Sequence, residues 1–133
     1  MLSVNLFVPD CVTALAFYEV VFGATGFDAQ LDKVKGERNV RFRIGDDLFA
    51  LADENPAWGS KSPITLGGVA GCLQLFVPDV DAVMKLALEN GGSLMAPSTQ
   101  AAPIITTPTG VQFCNIQDPA GHVWTISSEY SNP

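Results

Sequence analysis

The sequence predicts an α+β fold built from two βαβββ modules within one domain. Three observations carry that prediction. The phrase "NLFVPD" at residues 5–10 returns as "QLFVPD" at residues 74–79, with one carboxamide, Asn5, exchanged for another, Gln74. Each copy runs from an apolar alternation through Pro-Asp into a helix-like stretch that stops at glycine. Each half then closes on two strand-like runs joined by a turn, Gly45-Asp46-Asp47 in the first and Asp118-Pro119-Ala120-Gly121 in the second.

Residues 2–8 alternate as a strand, with Ser3, Asn5 and Phe7 on one face and Leu2, Val4, Leu6 and Val8 on the other. Asp10 suits the N-cap of a helix over 11–22, because a short carboxylate accepts the unpaired N–H groups of the first turn. Ala14, Leu15, Tyr18, Val21 and Phe22 make its apolar stripe, and Gly23 is its stop. Strands are predicted near 26–31, 39–45 and 48–53. The second half repeats the order: a strand over 71–77, a helix over 79–90 with Val80, Val83, Met84, Ala87 and Leu88 inward, then strands near 93–95, 111–117 and 122–128. The single domain, 1–133, thus divides into module 1 (1–54), a linker (55–70) containing the Gly-, Pro- and Ser-rich "NPAWGSKSPITLGG", and module 2 (71–133). One helix covers one face of each short sheet. The other face is too broad to stay bare, so the modules are expected to pair around a shared concavity.

Composition narrows the function classes. With 47% hydrophobic and 16% charged residues the chain reads as globular rather than disordered. No apolar run approaches the ~18 residues of a membrane-crossing helix. The opening "MLSVNLFVPD" lacks the basic start of a signal peptide. Cys11, Cys72 and Cys114 are odd in number and widely spaced, so they read as reduced thiols in a cytoplasmic protein rather than a disulfide framework or a CxxC metal site. A net charge of −7 argues against nucleic acid as a partner; it either serves solubility alone or attracts cationic small molecules.

Three stretches resemble the vicinal oxygen chelate superfamily of glyoxalases, bleomycin-resistance proteins and extradiol dioxygenases. "VNLFVPDCVTALAFYEVVFGA" is similar to its opening, "LQLFVPDVDAVMKLALENGG" to the start of its second module, and "DPAGHVWTI" to its closing hairpin. The resemblance implies paired βαβββ modules forming a U-shaped sheet around a cavity. In the family's enzymes that cavity holds a divalent metal on His or Glu. The matching positions carry Ser3, Ala50, Cys72 and Thr125. Ser, Ala and Thr are poor ligands for such ions and one Cys makes no site, so no metal, no cofactor and no catalytic residue are expected.

The expected ligand-binding residues follow by strand parity from those four positions. They are Ser3, Asn5, Phe7 and Ala50 in module 1 and Cys72, Gln74, Phe76 and Thr125 in module 2, with Trp58 and Arg43 at the rim. Phe7 and Phe76 either stack on a planar ligand or fill the core between the modules. Trp58 lids the cavity, packs at a dimer contact or packs within its loop; Asp53 and Glu54 beside it would favour a cation. Arg41 and Arg43 either meet an anionic ligand or form rim salt bridges. His122 and Trp124 fall on the strand face opposite Thr125 and are expected under the helices.

Two function classes fit. The first is a metal-free binding protein that sequesters an aromatic or cationic antibiotic, as the resemblance to bleomycin-resistance proteins implies. That resemblance also implies a homodimer, and the sheet edges of an open half-barrel call for the same cover. The second is a metal-dependent lyase, isomerase or dioxygenase acting on a small oxygenated substrate, which would require different metal ligands from those four positions.

Overall fold

The computed structural model describes residues 1–129. It is an α+β fold of two compact units, one spanning Met1–Gly68 and the other beginning at Val69. In the first unit β1 (Val4–Val8) leads into α1 (Cys11–Phe22), followed by β2 (Thr25–Gln30), β3 (Asn39–Ile44) and β4 (Asp47–Asp53). The strand order is β1-β4-β3-β2, with β1 parallel to β4 and the other neighbours antiparallel.

After a 3-10 turn at Pro56–Trp58 and a single helical turn, α2 (Pro63–Leu66), the second unit repeats the plan. β5 (Leu73–Phe76) leads into α3 (Val80–Glu89); β5, β6 (Ser93–Leu94), β8 (Gln112–Gln117) and β9 (Val123–Ser127) form a sheet of order β5-β9-β8-β6, with β5 parallel to β9. The two-residue β7 (Ile105–Thr106) adds to β8, and sequence periodicity gave no sign of it.

The repeated "VPD" phrase has a local mechanical role. Val8 and Val77 are buried at the strand ends. Asp10 Oδ1 accepts from the N–H groups of Val12 at 2.9 Å and Thr13 at 3.2 Å, and Asp79 Oδ1 accepts from Ala82 N–H at 3.0 Å. Both carboxylates therefore cap a helix that turns back over its own sheet. Gly23 takes the left-handed backbone that ends α1, with φ 68°.

α1 buries Cys11, Ala14, Leu15, Phe17, Tyr18 and Val21. The Tyr18 ring stacks on Phe42 at 5.4 Å, and Phe42 on Phe49 at 5.0 Å, so aromatic surface dominates this core. The stripe is wider than the periodicity predicted, taking in Cys11 and Phe17. In α3, Val80, Met84 and Ala87 are buried, whereas Leu88, expected inward, is exposed. The segment expected as a linker, 55–70, is folded through most of its length. Glu54 Oε1 accepts from Ser62 N–H at 3.0 Å, and an isolated bridge joins Asn55 to Ser60.

One buried carboxylate ties the first unit together. Asp53, at the end of β4, accepts from Cys11 N–H at 2.8 Å, Gly36 N–H at 3.0 Å and Arg38 Nε at 2.6 Å. Arg38 also reaches Asp10 at 3.5 Å. Burial works to raise the Asp53 pKa, but Arg38 and the two N–H donors outweigh it and hold the carboxyl below the usual aspartate value. A folded pKa below the unfolded one means that ionised Asp53 stabilises the fold at neutral pH. That contribution is lost as pH falls through the folded value. Asp53→Asn is therefore expected to lower the melting temperature by several degrees at pH 7. The gap to the wild type should close in acid, below the 3.8 of an ordinary aspartate. Thermal unfolding of both proteins across pH 7 to 2.5 checks this; a gap that widens in acid contradicts it.

Candidate ligand-binding site

Strand alternation divides each sheet into a face under the helix and a face away from it. In the first unit Leu6, Val8, Val40, Phe42 and Leu51 are buried on the helix side. The opposite side carries Asn5 and Phe7 on β1, Ala50 and Ala52 on β4, and Asn39 and Arg41 on β3. The register sets these in two rows across three strands. One row is Asn5–Ala50–Arg41, and the next is Phe7–Ala52–Asn39. Small alanines on the central strand make a floor, and larger side chains on both neighbours make walls. The result is a hollow of about 420 Å³, lined also by Ser3 and Leu48. Ser3 precedes β1 and is fixed by donating its hydroxyl proton to Leu48 O at 3.2 Å.

The second unit repeats the rows with different chemistry. Gln74–Thr125–Asn115 corresponds to the first row, and Phe76–Ser127–Phe113 to the second. Thr125 Oγ1 donates to Asn115 Oδ1 at 2.8 Å and lies 3.7 Å from the Cys72 sulfur. A smaller hollow of about 270 Å³ lies on this face, lined by Gln74, Thr125 and Ser127 with Thr107, Thr109 and Phe113. The repeated sequence phrase thus places Asn5 and Gln74, and Phe7 and Phe76, at equivalent register positions.

The ten expected site residues divide as follows. Ser3, Asn5, Phe7 and Ala50 line the first hollow, and Gln74 and Thr125 the second. Cys72 lies beside Thr125 but outside that lining, and so does Phe76, whose ring is half exposed. Arg43 does not line the first hollow; its guanidinium sits 5.3 Å from the Phe27 ring centre, and Arg41 occupies the hollow instead. Trp58 stands 70% exposed on its 3-10 turn and lines neither hollow. The acids beside Trp58 are engaged elsewhere, Asp53 with Arg38 and Glu54 with the Ser62 N–H, which removes the local argument for a cation there. Asn39, Ala52 and Phe113 were missed. Ala52 faces Phe7 across β1 and β4, Asn39 lies opposite Ala52 on β3, and Phe113 faces Ser127, so only register, which the sequence does not print, could have found them.

The opposite faces are packed. Trp124 is buried, and its Nε1–H donates to Asp118 Oδ2 at 2.9 Å; the same carboxylate accepts from Ala120 and His122 N–H groups at 2.9 and 3.0 Å. Burial, and then the Asp53 charge, pushes the Cys11 thiol up to about 12, and burial pushes Cys114 up to about 11. Neither is a thiolate nucleophile at neutral pH. Among the described residues, no three His, Cys, Asp or Glu side chains gather as a ligand group.

A family model described as the Glyoxalase/Bleomycin resistance protein/Dioxygenase superfamily matches residues 1–126. An uncharacterized protein of Mycobacterium bovis is 31% identical over 132 residues, covering 94% of this chain and 80% of its own length. Among solved structures, a glyoxalase/bleomycin resistance protein/dioxygenase family enzyme from Burkholderia phytofirmans aligns with a TM-score of 0.70 at 20% identity, covering 95% of each chain. The fosfomycin resistance protein FosX from Mesorhizobium loti aligns at 0.67 and 16% identity, covering 98% of this chain and 92% of its own.

The two faces predict opposite responses to substitution. Ala50→Phe adds volume above an open floor and should leave unfolding almost unchanged, since a hollow absorbs volume that a packed core does not. Trp124→Ala should cost roughly 3–5 kcal/mol. Chemical denaturation of both variants measures the contrast; an unfolded Ala50→Phe beside an intact Trp124→Ala would mean that the faces are exchanged.

Proposed function

The chain belongs to the glyoxalase/bleomycin resistance protein/dioxygenase superfamily, and on that premise we propose that it is a metal-free binding protein for a small aromatic molecule. The observation that carries this reading is the alanine-floored hollow of the first unit. At the positions the family's enzymes use for metal ligands, Ser3 and Ala50 bring no donor set for an ion, and their small size leaves volume for an organic ligand. A volume of about 420 Å³ falls within the range of small-molecule sites. The carboxamides of Asn5 and Asn39 supply oriented hydrogen bonds, and the Phe7 ring, 40% exposed, supplies a stacking surface. Sequestration of an antibiotic is the physiological form we propose, drawn from the drug-resistance proteins in the family description.

We also propose a homodimer in the cytoplasm. Trp58, Ile64 and Leu66 expose large apolar surface along one short segment of the first unit, which favours a covering partner. Among the described residues no helix is long and apolar enough to cross a membrane. All three cysteines are free thiols, as a reducing compartment would keep them.

Calorimetric titration with a panel of bleomycin-type and other aromatic natural products should give saturable binding to at least one, abolished by Ala50→Phe. Elemental analysis of protein purified without chelator should find no stoichiometric Zn, Fe, Mn or Ni. A bound metal at one per chain would instead support a lyase, isomerase or dioxygenase. Light scattering at micromolar concentration should return the dimer mass; a monomer removes the oligomer proposal alone.

A further inference from the structure

We infer that the hollow of the first unit selects a planar aromatic ligand bearing one carboxylate, held by Arg41, over a cationic or neutral ligand of the same shape. The inference rests on the small-molecule reading of that hollow and adds its charge. Among the described residues, Arg41 is the one charged side chain in its lining. It stands at one end of the Asn5–Ala50–Arg41 row, two strand spacings from Asn5, or about 10 Å between backbones. A flat ring over Ala50 fits that width, with a carboxamide at one edge and a guanidinium at the other. Asn39, in the neighbouring row on the same strand as Arg41, adds a second carboxamide that can donate to the same oxyanion.

Three buried or capping acids of this unit are engaged away from Arg41, and a fourth meets it only loosely. Asp53 is on the helix face, bound to Arg38, Cys11 and Gly36. Asp10 caps α1, and Glu54 holds the Ser62 N–H. Asp28 meets Arg41 at 3.7 Å, Oδ2 to Nε, with the two side chains 58% and 62% exposed. That distance is beyond a hydrogen bond, and so exposed a pair contributes little. A ligand carboxylate entering over Ala50 has the planar guanidinium fork to bind and a weak competitor to displace. The net charge of −7 pulls toward cations at long range, but salt screens that field beyond about 8 Å, and contact with Arg41 then decides. With one guanidinium present, a singly charged carboxylate is matched better than a phosphate dianion.

The test uses three probes of one shape: 2-naphthoate, 2-naphthamide and 2-naphthylmethylammonium. Each is titrated into the full-length, nitrogen-15-labelled protein while the side-chain carboxamide signals of Asn5 and Asn39 are followed. Naphthoate should bind tightest and move both signals. Arg41→Gln should weaken naphthoate about tenfold and leave naphthamide unchanged, as expected for loss of one charge-assisted contact. Lys85→Gln, which removes an exposed charge on α3, should change neither and controls for net charge. Equal or tighter binding of the ammonium or the amide, with the same carboxamide shifts, would keep the site and overturn the inference about charge. No response at Asn5 or Asn39 to any probe would overturn the binding reading and the inference with it.

Discussion

The first unit depends on where the Asp53 carboxylate is buried. Its side chain is inaccessible to solvent, and its partners come from three separate stretches: the start of α1, the turn at Gly36 and the approach to β3. A carboxylate in that position must be paired, because an unpaired buried charge is far too costly. Pairing fixes α1 against one face of the sheet by its N-terminus while Tyr18, Phe42 and Phe49 stack beneath it. Once that face is covered, alternation leaves the other to Asn5, Phe7, Ala50, Ala52, Asn39 and Arg41. In the second unit Asp118 holds its own turn by two N–H groups and anchors Trp124 by its indole N–H. In both units a buried acid on the helix side secures the packing.

Repetition and divergence coexist in this chain. The repeated phrase preserves what the backbone needs: a buried valine, a proline and a capping aspartate. It also preserves a carboxamide and a phenylalanine at equivalent register positions on the open faces. What changes is the rest of each row. The first unit has alanine and arginine where the second has threonine and asparagine. One hollow is therefore larger and carries a cation, and the other is smaller and lined largely by hydroxyl groups. The same scaffold presents two chemically different open faces.

Much of the fold was legible because its signals are local. Asp10, Gly23 and Asp79 mark helix ends within a few residues of the groups they bond, and Gly45 and Asp118 mark hairpins. Alternation placed Trp124 under the helix and Thr125 on the open face. The site was only partly legible, because a row across a sheet joins residues distant in sequence. Asn39 and Ala52 become wall and floor only when β3 pairs with β4, and no property of either residue announces it. Arg43 and Arg41 share one parity, so sequence could not say which of them reaches the hollow. β7 spans two residues between prolines, too short for periodicity. The role of Asp53 was hidden behind its neighbour Trp58, which suggested a cation site where the structure has a closed ion pair.

The central claim is that small molecules bind over the alanine floor of the first sheet. Alanine-methyl-labelled protein, saturated with 2-naphthoate, tests it most directly through intermolecular nuclear Overhauser contacts. The account predicts contacts from the naphthalene ring to the methyl groups of Ala50 and Ala52. Contacts confined to exposed alanines elsewhere, such as Ala57 or Ala82, would contradict it.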